Sequence, residues 1–152
     1  ARVEAANPTA APADADLAGT AWELVYTSSL GTSSGKVGPL VGRVTQLFDE
    51  SGAPEREGAR GRAAYRNVVD WSGVVTVTLA AAYERVDDAN WEVEFLDTTF
   101  EALGGLLSKR VAFPPGRVGT WRLTYVDVDT RVLYAKGGSA KEENVFVMRR
   151  VE

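Results

Sequence analysis

Residues 91–95 read Trp91-Glu92-Val93-Glu94-Phe95. Large apolar side chains alternate here with glutamates, and a β-strand directs alternate side chains to opposite faces. This segment is therefore predicted to be a half-buried strand, with Trp91, Val93 and Phe95 facing a core. It carries the clearest strand signal in the chain, and its two-residue period is the one that decides the fold.

The same period recurs on both sides of this segment. Alternating or apolar runs occupy residues 22–26, 44–48, 75–81, 121–125, 131–134 and 145–148. Segments rich in Gly, Pro, Asn, Asp and Ser separate these runs and indicate turns. About eight short strands with turns between them are typical of a sandwich or an up-and-down barrel, so an all-β fold is predicted.

Two segments depart from the strand pattern. Residues 1–18 contain Ala, Pro and Asp in place of alternation, which predicts an extended N-terminal arm followed by one domain over residues 19–152. Thr98-Thr99-Phe100-Glu101 has the form of a helical capping box, which predicts one short helix that Gly104 and Gly105 end within a turn or two. That segment would be either a lid on the barrel or a loop that fills a gap in the core.

The residue types that are missing limit the chemistry of the chain. It contains neither His nor Cys, which removes Ser-His-Asp and Cys-His catalysis, thiolate redox chemistry and conventional zinc sites. Asp127 and Asp129 share a strand face, but no calcium-loop pattern accompanies them. We interpret them as turn residues and as salt-bridge partners of Arg131, and we predict no catalytic residue, no metal site and no enzyme activity.

Charge and hydropathy limit the partners. The formal net charge is -4, so the sequence has no electrostatic footprint for nucleic acid. No apolar run has the length of a membrane-spanning helix. Any association with a membrane is therefore predicted to be peripheral.

Several stretches resemble one protein family. Residues 19–29 are similar to the opening strand G-x-W-x-L-x-Y-T-S-S of the plastid lipid-associated proteins, also called fibrillins or plastoglobulins, with one extra residue before Trp22. Upstream, Val3-Glu4 and Asn7-Pro8-Thr9 resemble the segment L-E-x-x-N-P-T-P that precedes this strand in the family.

Later blocks follow in the family's order and cover nearly the whole chain. Residues 42–49 are similar to G-x-x-x-Q-x-I-D, and residues 66–69 to x-N-V-V. Residues 124–132 resemble T-Y-L-D-x-D-L-R-I, the most specific block, and residues 144–148 resemble the closing G-N-V-F-V-L. Residues 136–143 stand in place of a shorter turn, which is a departure from the family.

The resemblance implies a fold and a function. The fold would be a lipocalin-like, antiparallel up-and-down β-barrel in a plastid (chloroplast) protein, associated with thylakoids or plastoglobules. The function would be to bind or organise a non-covalent prenylquinone, carotenoid or lipid at a thylakoid lipid or plastoglobule surface, with no covalent cofactor. The alternative is a non-catalytic peripheral structural subunit of a thylakoid photosynthetic membrane complex, with a side-chain-filled barrel docked through residues 1–18 and 136–143.

Candidate binding residues come from the inward-facing aromatic positions. Binding pockets use the same residue types as cores, so the candidates for a cavity lining are Tyr26, Phe48, Trp91, Phe95, Tyr125 and Phe146. Trp22 and Arg131 resemble the lipocalin pair that closes the barrel base, a cation–π contact that contributes about 0.5–2 kcal/mol. Gln46 and Asn67 are interpreted as hydrogen-bonded amides of the core or of turns, with a role as ligand-binding groups left open.

Overall fold

The computed structural model describes residues 3–30, 34–37, 40–50, 63–137 and 142–151. The strands in these ranges are β1 (Ala21–Thr27), β2 (Lys36–Val37), β3 (Leu40–Val41), β4 (Arg43–Phe48), β5 (Ala63–Trp71), β6 (Val75–Arg85), β7 (Asn90–Ala102), β8 (Leu107–Ala112), β9 (Val118–Val126), β10 (Thr130–Gly137) and β11 (Asn144–Val151). Short 3₁₀ turns occupy Glu4–Ala6 and Pro12–Asp14.

The strands close into a ring. Within the described residues, nine strands form one antiparallel sheet in the order β6-β5-β4-β1-β11-β10-β9-β7-β8, and β6 also pairs with β7. Around the ring each strand pairs with the next ring strand along the chain, in the sequence β1, β4, β5, β6, β7, β9, β10 and β11, and β1 completes the ring by pairing with β11. In the described part of the chain, strand β8 pairs with β7 alone and lies beside the ring. The predicted all-β, up-and-down, barrel-like architecture is confirmed.

The short helix predicted at Thr98 is wrong. Residues 98–101 belong to β7, where Thr98 pairs with Leu79 of β6 on one side and with Val111 of β8 on the other. A capping box satisfies only local backbone groups, whereas pairing on both sides satisfies every group of the strand. Leu103, Gly104 and Gly105 have positive φ angles and make the turn into β8. No helix of the described residues is long and apolar enough to span a membrane.

Register shifts change which residues face inward. The pairing of β9 with β10 shifts between Val132 and Leu133, so Thr124 is an extra residue in β9. Leu123 is buried before the shift and Val126 after it, because an extra residue moves the two-residue period to the other phase. The pairing of β1 with β11 shifts in the same way between Leu24 and Tyr26.

The N-terminal arm covers one end of the ring. We call this end, where β1, β7 and β10 begin, the base, and the opposite end, where β1 ends and β11 begins, the mouth. Ala13 and Leu17 of the arm are buried, and the Trp91 indole N–H donates to the Ala13 carbonyl oxygen at 2.9 Å. The backbone N–H of Val126 donates to Asn7 Oδ1 at 3.0 Å. The described part of the arm is thus built into the fold.

Candidate functional site

A cavity of about 350 Å³ extends from the mouth into the ring interior. Its size falls within the range of small-molecule sites. Its wall is formed by Ser29, Gln46, Tyr65, Asn67, Leu79, Phe95, Phe113, Arg117, Trp121, Leu133, Ala135, Gly137, Asn144 and Phe146. None of these described residues is acidic, and most of the side chains deep in the ring are aromatic or aliphatic.

An aromatic cluster fills the ring between this cavity and the base. Tyr83 stacks on Trp91 with ring centroids 4.4 Å apart, and Tyr65 lies 4.8 Å from Trp121. Phe48 lies 5.8 Å from both Tyr65 and Tyr83. Tyr65 and Trp121 belong to both the cluster and the cavity wall, so the cluster is the cavity floor. The ring is filled on the base side and open on the mouth side.

Arg131 lies inside the ring and is completely buried. Its Cζ atom is 4.8 Å from the Phe48 ring centroid and 5.3 Å from that of Trp22. The structure thus places Trp22 and Arg131 in contact at the base. The predicted salt bridges of Arg131 with Asp127 and Asp129 are wrong, because the guanidinium points into the ring. Asp127 instead holds the β9–β10 turn through hydrogen bonds to its carboxylate.

The Arg131 charge has few polar partners. Nη2 donates to Oε1 of Gln46 and contacts the Met148 sulfur at 3.1 Å, whereas Nε and Nη1 have no hydrogen-bond partner. Burial lowers the pKa of Arg131 to about 9, which leaves the side chain protonated at neutral pH. Among the described residues, no carboxylate forms an ion pair with it. A buried cation without a counter-charge raises the electrostatic potential around it.

Three buried polar side chains meet at the cavity floor. Gln46 of β4 is the cross-strand partner of Asn67 of β5, and Tyr65 lies two residues from Asn67 on the same face. These residues are only 5%, 9% and 1% exposed, respectively. Within the described residues the side chains of Asn67 and Tyr65 form no hydrogen bond. The interpretation of both amides as hydrogen-bonded therefore holds for the Gln46 oxygen, whereas Asn67 has no such partner among the described residues.

The predicted aromatic lining is divided among three places. Phe95 and Phe146 line the cavity, while Phe48 and Trp91 pack in the core beneath it. Tyr26 is 58% exposed on the outside of the ring. Tyr125 donates its hydroxyl hydrogen bond to Asp127 Oδ2 at 2.6 Å, also away from the cavity. Both tyrosines follow a register shift that reverses the alternation.

Three lining aromatics, Tyr65, Phe113 and Trp121, were not among the sequence candidates. Trp121 begins an alternating run and is buried, and Tyr65 alternates with Asn67 and Val69 along β5. The two-residue period was a usable signal for both. The described residues contain no cluster of three or more acidic, His or Cys side chains that could hold a metal ion.

Comparison with known proteins finds no relative of this chain. No family model, no curated protein and no solved structure matches it. The function proposed below is therefore argued from the residues and geometry of the chain, together with the motif resemblance described above.

Proposed function

We propose that this chain is a non-catalytic binding protein that encloses a small hydrophobic group inside its ring. The observation that carries the proposal is the cavity of about 350 Å³, which is walled by Phe95, Trp121 and Phe146 and enters from the mouth. The arm and the aromatic cluster occupy the base, so the mouth is the route of entry among the described residues. Burial of apolar ligand surface against these rings supplies the affinity.

The cavity volume limits what is enclosed. A cavity of about 350 Å³ lies near the lower end of the range for small-molecule sites. A carotenoid or a whole prenylquinone exceeds this volume, but a quinone ring or the end of a lipid chain fits. The resemblance to the plastid lipid-associated proteins supports the finer proposal of a chloroplast protein that holds such molecules at thylakoids or plastoglobules.

Filling the cavity tests the proposal. Ala135 lines the cavity from β10, so Ala135→Trp places an indole in the space a ligand needs. Ala112 is exposed on β8 and provides the control Ala112→Trp. With 2-isopropenylnaphthalene as a hydrocarbon probe in titration calorimetry, we expect one site in the original protein and in the control. Binding should be lost in Ala135→Trp. Equal binding by all three proteins, or by none, would overturn interior binding.

A second candidate function is supported by a separate surface. The turn between β7 and β8 exposes Leu103, Leu106 and Leu107, and Val74 of the neighbouring turn is also exposed. The backbone N–H of Leu103 donates to the Val74 carbonyl oxygen, which joins the two turns into one apolar tip. Exposed apolar patches of this kind mark interaction sites. This tip fits the alternative of a peripheral structural subunit that docks to a protein of a thylakoid membrane complex.

One double variant distinguishes the two proposed functions. Leu106→Ser with Leu107→Ser removes two exposed apolar side chains, one in the turn and one at the start of β8, and leaves the cavity wall unchanged. If the chain is a structural subunit, we expect the variant to dissociate from its membrane complex on native gels while it still binds the hydrocarbon probe. Retention of the variant at full stoichiometry would exclude this tip as the docking element.

A further inference from the structure

The cavity floor presents hydrogen-bond donors more strongly than acceptors. Guanidinium groups only donate hydrogen bonds, so the Gln46 oxygen must face Arg131 and the Gln46 NH₂ group must face away from it. Within the described residues this NH₂ group has no hydrogen-bond partner, although Gln46 is 95% buried and lines the cavity. The contact with Arg131 thus fixes the Gln46 amide as a donor toward the cavity.

Neighbouring groups add to this donor character. Asn67, the cross-strand partner of Gln46, and Tyr65, two residues before Asn67, also line the cavity, and their side chains form no hydrogen bond within the described residues. These groups are reached from the cavity, so a hydrocarbon that covers them leaves them without a partner at a cost of about 1–3 kcal/mol each, whereas a ligand with an acceptor oxygen avoids part of that cost. The floor is therefore matched to a ligand that carries a hydrogen-bond acceptor at its buried end.

The charge distribution favours the same kind of ligand. Arg131 lies directly behind Gln46, and Arg117 stands at the mouth of a cavity whose described wall contains no acidic residue. A cation hydrogen-bonded to the amide oxygen polarises the amide and strengthens its N–H donors. Both effects favour an oxygen atom that carries partial or full negative charge.

We propose that the cavity selects an apolar molecule that bears a carbonyl-type oxygen and binds it with that oxygen on the Gln46 NH₂ group. Asn67 and Tyr65 supply the neighbouring donors, while the ring or chain of the ligand packs against Phe95, Trp121 and Phe146. This inference rests on the proposed interior binding and adds the ligand class, which includes ketones, quinones and carboxylates. It also assigns Gln46 as the residue that determines specificity.

Three probes of equal size test the selection. In 2-acetylnaphthalene, 2-naphthoate and 2-isopropenylnaphthalene, the naphthalene ring carries a ketone, a carboxylate or a hydrocarbon group of nearly the same shape. By titration calorimetry at neutral pH, we expect the ketone to bind about fivefold more tightly than the hydrocarbon, the effect of one hydrogen bond. Naphthoate that binds more tightly than the ketone would indicate a carboxylate ligand, and weaker naphthoate binding a neutral carbonyl.

The variant Gln46→Glu tests the donor role of the Gln46 NH₂ group most directly. The introduced carboxylate has nearly the same shape and still accepts from Arg131, but it presents an acceptor to the cavity in place of a donor. We expect the ketone to lose its roughly fivefold advantage and naphthoate binding to fall further, while the hydrocarbon probe binds as before. Thr120→Glu adds the same charge on the exposed outer face of β9 and serves as the control.

A spectroscopic measurement keeps the test independent of the variant's stability. The carbonyl stretching frequency of bound 2-acetylnaphthalene should lie below its value in hexane, because a hydrogen bond weakens the C=O bond. Equal affinities for the ketone and the hydrocarbon, together with a hexane-like stretching frequency, would overturn the acceptor selection and leave interior binding standing. Failure of all three probes to bind would overturn both proposals.

Discussion

Gln46 accepts a hydrogen bond on Oε1 from Nη2 of Arg131, and the two residues lie 85 positions apart in the chain. Gln46 belongs to β4 and Arg131 to β10, strands that β1 and β11 separate in the sheet order. The bond therefore crosses the ring interior instead of following the sheet. It links a buried charge to the cavity floor and makes both stability and ligand selection depend on the same pair.

This pair should show strong energetic coupling. Gln46→Leu leaves the buried Arg131 guanidinium without its oxygen partner, and we expect the free energy of unfolding to fall by about 3 kcal/mol. Arg131→Leu alone leaves the Gln46 oxygen without its hydrogen-bond donor. The double variant removes both polar groups and should recover most of the loss. Urea denaturation of the four proteins measures the coupling, and strictly additive losses would refute the interaction.

Tyr65 should make the fold sensitive to alkaline pH. Burial raises the pKa of Tyr65 well above its usual value of about 10. A group whose pKa is raised on folding contributes stability that is complete below the unfolded pKa and is lost as the pH rises through the folded pKa. The free energy of unfolding of the original protein should thus fall relative to that of Tyr65→Phe above about pH 10. A constant difference from pH 8 to 12 would contradict this assignment.

Asp127 should make the free energy of unfolding depend on pH in the acid range. The hydrogen bond from the Tyr125 hydroxyl, followed by those from the backbone N–H groups of Asp129 and Thr130, holds the pKa of Asp127 below its usual range. Its contribution is complete above the unfolded pKa of about 4 and is lost as the pH falls through the folded pKa. Asp127→Asn should therefore be less stable than the original protein at pH 6 and nearly equal to it at pH 2, as measured by urea denaturation at both values.

Leu103 offers a stabilising substitution. Its φ angle is +52° and its side chain is exposed, so the residue occupies a left-handed conformation that favours glycine. Leu103→Gly should raise the free energy of unfolding by up to about 1 kcal/mol. Leu106→Gly, at an exposed position whose φ is not positive, should instead lower it. Thermal denaturation of both variants measures these changes. Destabilisation by Leu103→Gly as well as by Leu106→Gly would contradict strain at Leu103.

The alternation of apolar and polar residues was sufficient to predict an all-β fold of short strands, whereas the up-and-down order was chosen over a sandwich on the family resemblance. It placed Trp22, Trp91 and Trp121 in the core, where each is buried. Consecutive short strands pair with their chain neighbours, so a local pattern specifies most of this topology. The helix at Thr98 was mispredicted because a capping motif describes only the groups within one turn, whereas the pairing partners in β6 and β8 lie outside that turn.

Site residues were harder to predict than strands. A single extra residue in β9 turns Tyr125 outward and Val126 inward. No residue type in the sequence marks the position of such a register shift. The direction in which the Gln46 amide faces could not be predicted from the sequence either, because it depends on a hydrogen bond from Arg131 on a distant strand. Asn67 was visible as a polar residue in an apolar strand, but its missing hydrogen bond is a property of the folded interior.

Closure of the ring has a consequence for synthesis. Ala21 of β1 pairs with Val151 of β11, and Thr27 pairs with Phe146. As the chain emerges from the ribosome, the edge of β1 that faces β11 stays unpaired until residues 144–151 have been synthesised. Such sequence-distant pairing makes folding slow and leaves an open strand edge exposed in the interval. Strand β11 therefore closes the ring, and a nascent chain that has not yet made β11 exposes the edge of β1 to pairing with other strands, including the β1 of another copy.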